Sequence, residues 1–278
     1  MTYCILPSAL LLCLLCACNH DVETNGTSTL VVEGYIEDGS FPVVKVGRTI
    51  PLGTTPISTD DLYDYVDRWA KVTVSDGTDN VVLTGLRDSD YFPPFVYTTG
   101  NMRGVAGRTY TIKVESSEGE TATATTTIPA RAALDSFKVE RLADNDTLVT
   151  VYAYTSYRKP SKVFTMIYGK QTEFLSAYMG VHDSTTIAED GRISIRKGRN
   201  NLEGGSFTPY FNEGDTVTVQ FSAIPDEAYD YWRKYEDMMN VSANPVFPTN
   251  VTLPGNVNGA LGYWFGYGSN YYAVIARP

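Results

Sequence analysis

The sequence is poor in cysteine, and this excludes a fold held by disulfide bonds. All four cysteines lie between positions 4 and 18, within or at the end of the first apolar segment. If residues 1–17 are removed as a signal peptide, the mature chain of 261 residues keeps only the thiol of Cys18. Its fold then depends on a hydrophobic core, and a chain of this length can build one large core or two smaller ones.

Histidine is scarce as well, since only His20 and His182 are present. Zinc sites usually combine several histidine and cysteine ligands. A Ser-His-Asp hydrolase would have to use His182, and the sequence has no Gly-x-Ser-x-Gly motif to present a nucleophile. We therefore predict no catalytic residues, no metal site and no cofactor, and we expect that the protein is not an enzyme.

Basic residues are a minority, with 22 Lys and Arg against 32 Asp and Glu, for a net charge of −10. This balance argues against nucleic acid and anionic membrane surfaces as partners.

No apolar run is long enough to span a bilayer. The longest run at the start, Ala9–Ala17, has the length of a signal h-region, and residues 1–17 contain no charged side chain. The run ends in Leu15-Cys16-Ala17-Cys18, which resembles a lipobox with Cys18 as the residue that receives diacylglycerol. We predict a signal peptide over 1–17 and an outer membrane lipoprotein anchored through Cys18.

Residues 18–29 are polar and show no apolar period, which is typical of a flexible tether. The acidic pair Asp21 and Glu23 resembles the surface-export signal of Bacteroidota lipoproteins. The expected location is therefore the cell surface.

Residues 30–129 are expected to form an immunoglobulin-like or transthyretin-like β-sandwich. Short β-type runs alternate with turn sequences such as Asp38-Gly39 and Asp76-Gly77. The runs are Leu30–Ile36, Val43–Val46, Ala70–Val74, Val81–Leu86, Phe95–Thr98, Tyr110–Glu115 and Thr121–Ile128. An excursion over 48–69 interrupts them and could contain one short helix.

Residues 130–278 are expected to form a second β-rich region. It contains one amphipathic helix near 226–239, because Pro225 and two acidic residues open a segment in which Ala228, Tyr231 and Trp232 begin an apolar stripe at helical spacing. We expect this stripe to pack on a sheet, and we expect a last strand over 271–276. Whether the two halves are separate domains is left open, because strands of both could share sheets.

Aromatic residues are concentrated in two segments rich in glycine or proline, at 91–97 and 262–267. In the second segment, exposed aromatic rings could form a surface that binds a partner or a ligand, and equally they could fill a core. The candidate surface residues are Tyr263, Trp264, Phe265 and Tyr267.

Acidic clusters leave a glycosidase pair or a calcium site open as alternatives. Asp60, Asp61, Asp64 and Asp67 fall in one excursion, and Asp144-Asn145-Asp146 in one turn. Neither cluster has the spacing of an EF-hand loop, and Asp and Asn are ordinary turn residues.

Several motifs together resemble a Bacteroidota lipoprotein family known only as a domain of unknown function. They are the lipobox, Val31-Val32-Glu33-Gly34-Tyr35-Ile36, Val46-Gly47-Arg48-Thr49-Ile50-Pro51-Leu52, Ala70-Lys71-Val72-Thr73-Val74-Ser75-Asp76-Gly77, Asp226-Glu227-Ala228-Tyr229-Asp230-Tyr231-Trp232 and Asn256-Val257-Asn258-Gly259-Ala260-Leu261-Gly262-Tyr263. The resemblance covers nearly the whole mature chain. It implies a surface lipoprotein that accompanies TonB-dependent receptors.

The leading hypothesis is therefore a noncatalytic accessory or ligand-binding subunit of a TonB-dependent transport system. A free-standing glycan- or peptide-binding lipoprotein is the alternative, followed by a glycoside hydrolase and an adhesin or pilus subunit.

Overall fold

A computed structural model describes residues 28–50, 61–143, 145–167, 178–198, 207–242 and 253–278. The predicted signal peptide, Cys18 and most of the predicted tether lie outside the described residues.

Sixteen strands and one α-helix form in the described part of the chain. The strands are β1 (Leu30–Glu37), β2 (Val43–Arg48), β3 (Lys71–Ser75), β4 (Asn80–Val82), β5 (Thr84–Leu86), β6 (Val96–Thr98), β7 (Thr109–Glu115), β8 (Thr121–Thr127), β9 (Ser136–Leu142), β10 (Asn145–Tyr154), β11 (Ser161–Ile167), β12 (Tyr178–His182), β13 (Arg192–Ile195), β14 (Phe211–Asn212), β15 (Thr216–Ala223) and β16 (Leu261–Ile275). The α-helix is α1 (Asp226–Ser242), and Asp61–Tyr65 form a 3-10 helix.

The strands build one large sheet and two small ones. The large sheet has eight strands in the order β12-β11-β15-β16-β1-β2-β6-β5. One four-stranded sheet has the order β4-β3-β7-β8, and the other is β13-β10-β14 with β9 also paired to β10.

β16 joins the two ends of the chain at the middle of the large sheet. Its first half pairs in parallel with β1, from Val31 opposite Leu261 to Glu37 opposite Tyr267. Its second half pairs antiparallel with β15, from Ala223 opposite Gly268 to Thr216 opposite Ile275. The large sheet therefore takes strands from both sides of the predicted boundary at residue 129.

Glycines in β16 allow the segment after β8 to cross this strand closely. A Cβ on Gly266 would lie 2.9 Å from the carbonyl oxygen of Thr127, and a Cβ on Gly268 would lie 2.5 Å from that of Pro129. The expectation of a strand only over 271–276 was therefore too short, because these glycines serve close packing and do not form a loop.

One face of the large sheet is covered by both small sheets. Over its β1–β2 side, Val32, Val44 and Trp264 share a hydrophobic core with Val72 and Ile112 of the β4-β3-β7-β8 sheet. Over its β11–β15 side, a second core includes Val163, Val219 and Phe221 together with Val151 and Ile193 of the other small sheet.

Helix α1 packs against the opposite face of the large sheet. Its buried residues Ala228, Tyr231 and Trp232 contact Tyr263 and Phe265 of β16 in a third apolar cluster. The prediction that the helical stripe packs on a sheet is confirmed. No helix of the described residues is both long enough and apolar enough to cross a membrane.

The predicted fold class, mainly β with a sandwich and a single helix, is confirmed. The short strands β12 and β14 were not predicted; β14 has only two residues and pairs with β10, which lies far from it in the chain. The short helix expected in the excursion over 48–69 forms as a 3-10 helix, and residues 51–60 lie outside the described ranges.

Candidate functional site

The face of the large sheet that carries α1 also contains an open cavity of about 390 Å³. Because side chains alternate along a strand, the residues that line it stand between the residues that fill the cores on the opposite face. On β1, Glu33 and Tyr35 line the cavity, whereas Val32 is buried in the first core. We call this cavity the aromatic cleft, and its principal residues are Tyr35, Glu37, Lys162, Trp232, Tyr267 and Tyr271.

Stacked aromatic rings from β1 and β16 form the floor of the aromatic cleft. The ring of Tyr263, which lines the cavity, stacks on the buried ring of Phe265, which does not, with centroids 5.1 Å apart and an interplanar angle of 15°. The rings of Tyr35 and Tyr267 are 5.8 Å apart at 27°. Offset stacking at these separations is favourable, so the floor is a rigid apolar surface.

Helix α1 supplies one wall of the aromatic cleft. Asp226 and Glu227 lie in its first turn, where their negative charges interact favourably with the helix dipole and stabilise the helix. One turn further on, the Trp232 ring lies 5.3 Å from that of Tyr263. The Trp232 indole N–H donates a hydrogen bond to the Tyr267 hydroxyl at 3.0 Å, which fixes the helix on the sheet.

Lys162 brings a positive charge into this aromatic environment. Its Nζ lies 3.9 Å from the centroid of the Trp232 ring and 5.1 Å from that of the Tyr267 ring, which is cation–π geometry. Within the described ranges, its ammonium makes no hydrogen bond and no ion pair. The faces of the two rings are therefore its close partners.

Two small residues let the Lys162 side chain reach these rings. Lys162 stands opposite Ser222 on β15, and Ser222 stands opposite Ser269 on β16. Both serines are buried, and their hydroxyls are hydrogen-bonded to each other at 2.8 Å. Burial lowers the pKa of Lys162 to about 8, while the negative charge of Glu37 acts in the opposite direction. The lysine is therefore still mostly charged at neutral pH.

Glu37 is a buried carboxylate at the end of β1, with 5 % of its surface exposed. Its Oε1 accepts a hydrogen bond from the side-chain amide of Gln220 at 2.5 Å, and its Oε2 accepts one from the Tyr271 hydroxyl at 2.5 Å. These bonds stabilise the carboxylate. The bond to Tyr271 also orients the ring of a residue that is 60 % exposed.

An ion pair lies where the aromatic cleft meets a second, smaller cavity. Lys45 Nζ lies 2.6 Å from Glu33 Oε2, and both residues line both cavities. The second cavity has a volume of about 250 Å³ and is lined mainly by apolar residues, among them Ile50, Phe92 and Phe95.

The tyrosines of the aromatic cleft are hydrogen-bond donors at physiological pH. Burial raises the pKa of Tyr263 and of Tyr267, and the neighbouring glutamates Glu33 and Glu37 raise them further. Tyr35 and Tyr91 share a hydrogen bond between their hydroxyls at 3.2 Å, so one of the two protons stays available to a ligand.

In the acidic clusters considered from the sequence, Asp67 and Asn145 have structural roles, and Asp60 and Asp144 lie outside the described residues. The carboxylate of Asp67 accepts hydrogen bonds from the backbone N–H groups of Trp69 and Ser117, and Asn145 caps the turn that contains Thr147. No group of three or more His, Cys, Asp and Glu that could hold a metal occurs in the described residues. Burial lowers the pKa of His182 to about 4.

The four aromatic residues predicted as a partner or ligand surface are buried and divide between two environments. Trp264 points into the first core, where it is fully buried and its indole N–H donates to the carbonyl oxygen of Tyr110 at 3.0 Å. Phe265 packs beneath α1. Tyr263 and Tyr267 line the aromatic cleft, and their contact with a ligand stays a prediction.

Sequence reasoning missed Lys162, Glu37 and Tyr271 as members of the site. Each lies on the polar or aromatic side of an alternating strand, and the pattern of β1 shows this signal, since Glu33, Tyr35 and Glu37 alternate with core residues. The alternation cannot show that β1, β11 and β16 come together in one sheet, because Glu37 and Tyr271, for example, are 234 positions apart.

Comparisons with known proteins identify a family and little else. A protein-family model described as "Domain of unknown function (DUF4249)" matches residues 18–272. No curated protein matches the sequence. One similar solved chain, described as "Cytokine receptor complex - Crystal form 1A", shares 10% identity with a TM-score of 0.26, over 71% of this chain and 86% of that chain. So low a score carries no argument about fold or function.

Proposed function

The chain belongs to the DUF4249 family, and from this premise we propose that it is a noncatalytic surface lipoprotein that serves a TonB-dependent outer-membrane transport system as an accessory or ligand-binding subunit. The aromatic cleft is the observation that carries the ligand-binding role. Small-molecule sites are concave, largely apolar and aromatic, and contain a few well-placed polar groups. Lys162 and Glu37 are such groups in the aromatic cleft.

Rigidity of the aromatic cleft supports binding. Its floor is formed by central strands of the eight-stranded sheet, and its wall is fixed by the hydrogen bond between Trp232 and Tyr267. A preformed site loses less conformational entropy when a ligand binds, which favours affinity.

The segment that precedes β1 supports membrane attachment. The lipobox-like Leu15-Cys16-Ala17-Cys18 precedes a polar tether, and the family match begins at Cys18. Metabolic labelling with a tagged fatty acid tests this part of the proposal. We expect the wild type to be labelled and the Cys18→Ser variant to be unlabelled, whereas label on both would exclude Cys18 as the acylated residue.

A pull-down of the tagged lipoprotein from outer membranes in mild detergent, followed by mass spectrometry, tests the transport role. A stoichiometric TonB-dependent barrel that co-purifies with the wild type is the expected result. The Cys18→Ser variant controls for contacts that need the membrane anchor. Recovery of the lipoprotein alone, as a monomer, contradicts the role of a transporter subunit.

A free-standing binding protein for glycans or peptides is the second candidate, because one chain supplies every residue named in the aromatic cleft. The same pull-down separates the candidates. A monomer whose thermal stability rises with a ligand supports the free-standing protein.

A further inference from the structure

We infer that the aromatic cleft binds an acidic saccharide, a sugar with a carboxylate group, whose ring stacks on Tyr271 and whose carboxylate pairs with Lys162. The inference rests on the proposed ligand-binding function and deepens it by naming the class of ligand.

The ring of Tyr271 is placed so that a sugar ring could stack on it; we call it the platform. The residue is 60 % exposed, and its hydroxyl donates a hydrogen bond to Glu37 at 2.5 Å, which restricts the orientation of the ring. An exposed, oriented aromatic ring offers an apolar face to the C–H face of a sugar and a polar tip to its hydroxyls. Tyr91, hydrogen-bonded to Tyr35, adds a second oriented ring to the aromatic cleft.

Lys162 supplies the charge that selects an acidic sugar. Its ammonium is held against the rings of Trp232 and Tyr267 and, within the described ranges, has no carboxylate as an ion-pair partner. Burial of this charge is unfavourable and the negative charge of Glu37 offsets the burial only in part, so a ligand carboxylate would compensate it further. The other lysine of the cavity, Lys45, already pairs with Glu33 at 2.6 Å.

The sheet register places the platform and the cation within reach of one sugar residue. Tyr271 stands in the row of Gln220 and Phe164, and Lys162 stands in the adjacent row with Ser222 and Ser269. Two such rows on one face are about 7 Å apart along the strands. The Lys162 side chain leans over the serines toward the Tyr267 ring of β16.

The carboxylate of Glu37 is suited to accept a hydrogen bond from a sugar hydroxyl. A carboxylate has about four acceptor positions, and hydrogen bonds from Gln220 and Tyr271 occupy only two at Glu37. Glu37 can therefore still accept a bond from a ligand hydroxyl.

The position of the aromatic cleft disfavours an extended peptide. A peptide that adds a strand needs a free sheet edge, and among the described strands the edges of the large sheet are β12 and β5. The aromatic cleft instead lies on the face of the sheet, over β11, β15, β16 and β1.

Calorimetric titration of the full-length lipoprotein in detergent, with oligosaccharides of galacturonate and of glucuronate, tests the inference. The fully methyl-esterified forms of the same oligosaccharides are matched ligands without charge. We expect at least one uronate to bind, and its ester to bind at least tenfold more weakly. Equal affinity for acid and ester, or no binding of either uronate, would overturn the inference.

Two variants test whether Lys162 and Tyr271 bind the ligand. Lys162→Met should weaken uronate binding at least tenfold and leave the ester unchanged, whereas Tyr271→Ala should weaken both ligands. Lys138→Met removes an exposed lysine on β9 and should change neither. Uronate binding that survives Lys162→Met overturns the inference.

Failure of the ligand class can be distinguished from failure of the proposed function. If a neutral glycan or a peptide binds and Tyr271→Ala abolishes that binding, the ligand class is overturned and the ligand-binding function stands. If no ligand of any class binds and no barrel co-purifies, both are overturned.

Discussion

Replacing Lys162 with methionine should stabilise the protein while it weakens binding. Burial lowers the pKa of Lys162 from its ordinary value of 10.5 to about 8, which corresponds to a destabilisation of about 3 kcal/mol at neutral pH. The ring contacts with Trp232 and Tyr267 offset about 0.5–2 kcal/mol of this. Methionine has a similar length and no charge, and it adapts to irregular space. We expect Lys162→Met to raise the free energy of unfolding by about 1–2 kcal/mol at pH 7.

The pH dependence of this gain in the free energy of unfolding shows whether it comes from removing a buried charge or from better packing. The pKa of Lys162 is lower in the folded protein than in the unfolded chain, so between about pH 8 and pH 10 the unfolded chain binds more protons. The contribution of Lys162 to wild-type stability therefore rises with pH in this range. The advantage of Lys162→Met should shrink by about 2 kcal/mol between pH 7 and pH 9.5.

Urea unfolding followed by circular dichroism at both pH values measures this change. Lys138→Met is the control, because Lys138 is exposed and pairs with Glu140 at 2.7 Å on the surface of β9. A Lys162→Met protein that is less stable than the wild type at pH 7 by about 1 kcal/mol or more would refute the reasoning. So would a difference in stability that is the same at both pH values.

Further predictions concern binding, titration and packing. Affinity for a uronate should fall by up to tenfold per pH unit above pH 8 as Lys162 loses its charge, measured by titration calorimetry between pH 7 and pH 9.5. Constant affinity would contradict the ion pair. Glu37→Gln should lower the pKa of Lys162 further, because it removes the negative charge that raises it, and NMR of the labelled lysine measures this. Gly268→Ala should lower the free energy of unfolding by about 1–3 kcal/mol, since the added Cβ would lie 2.5 Å from the Pro129 carbonyl oxygen; Gly100→Ala, with open space around it, should change it little. Trp264→Phe should lower it by about 1–3 kcal/mol through lost volume and the lost bond to the Tyr110 carbonyl, and an unchanged urea midpoint would contradict that.

Several elements of the fold could be predicted because their signal is local. The helix was predicted near 226–239 and spans Asp226–Ser242, since an acidic first turn and an apolar stripe are visible within a few residues of each other. β7 was predicted over 110–115 and spans Thr109–Glu115, because strict alternation marks a strand with one buried face.

β16 shows where local signals fail. Its glycines and aromatic residues resemble a loop, yet they alternate between the two faces of a central strand. Trp264 packs toward the β4-β3-β7-β8 sheet, and Tyr263 faces the aromatic cleft. The glycines are needed because the end of β8 and the residues after it cross β16 at short range. The Gly266 N–H, for example, donates to the hydroxyl of Thr126, 140 positions away.

The sequence by itself determined the β class of the fold, its helix and the lack of any cysteine after Cys18, because composition, periodicity and short motifs are properties of neighbouring residues. Only the tertiary structure decided that β1 pairs with β16, that Trp264 is buried while Tyr271 is exposed, and that Lys162, Glu37 and the aromatic rings line one cavity. Those outcomes depend on strand order and register, which are set by burial of side chains far apart in the chain, and no local pattern encodes them.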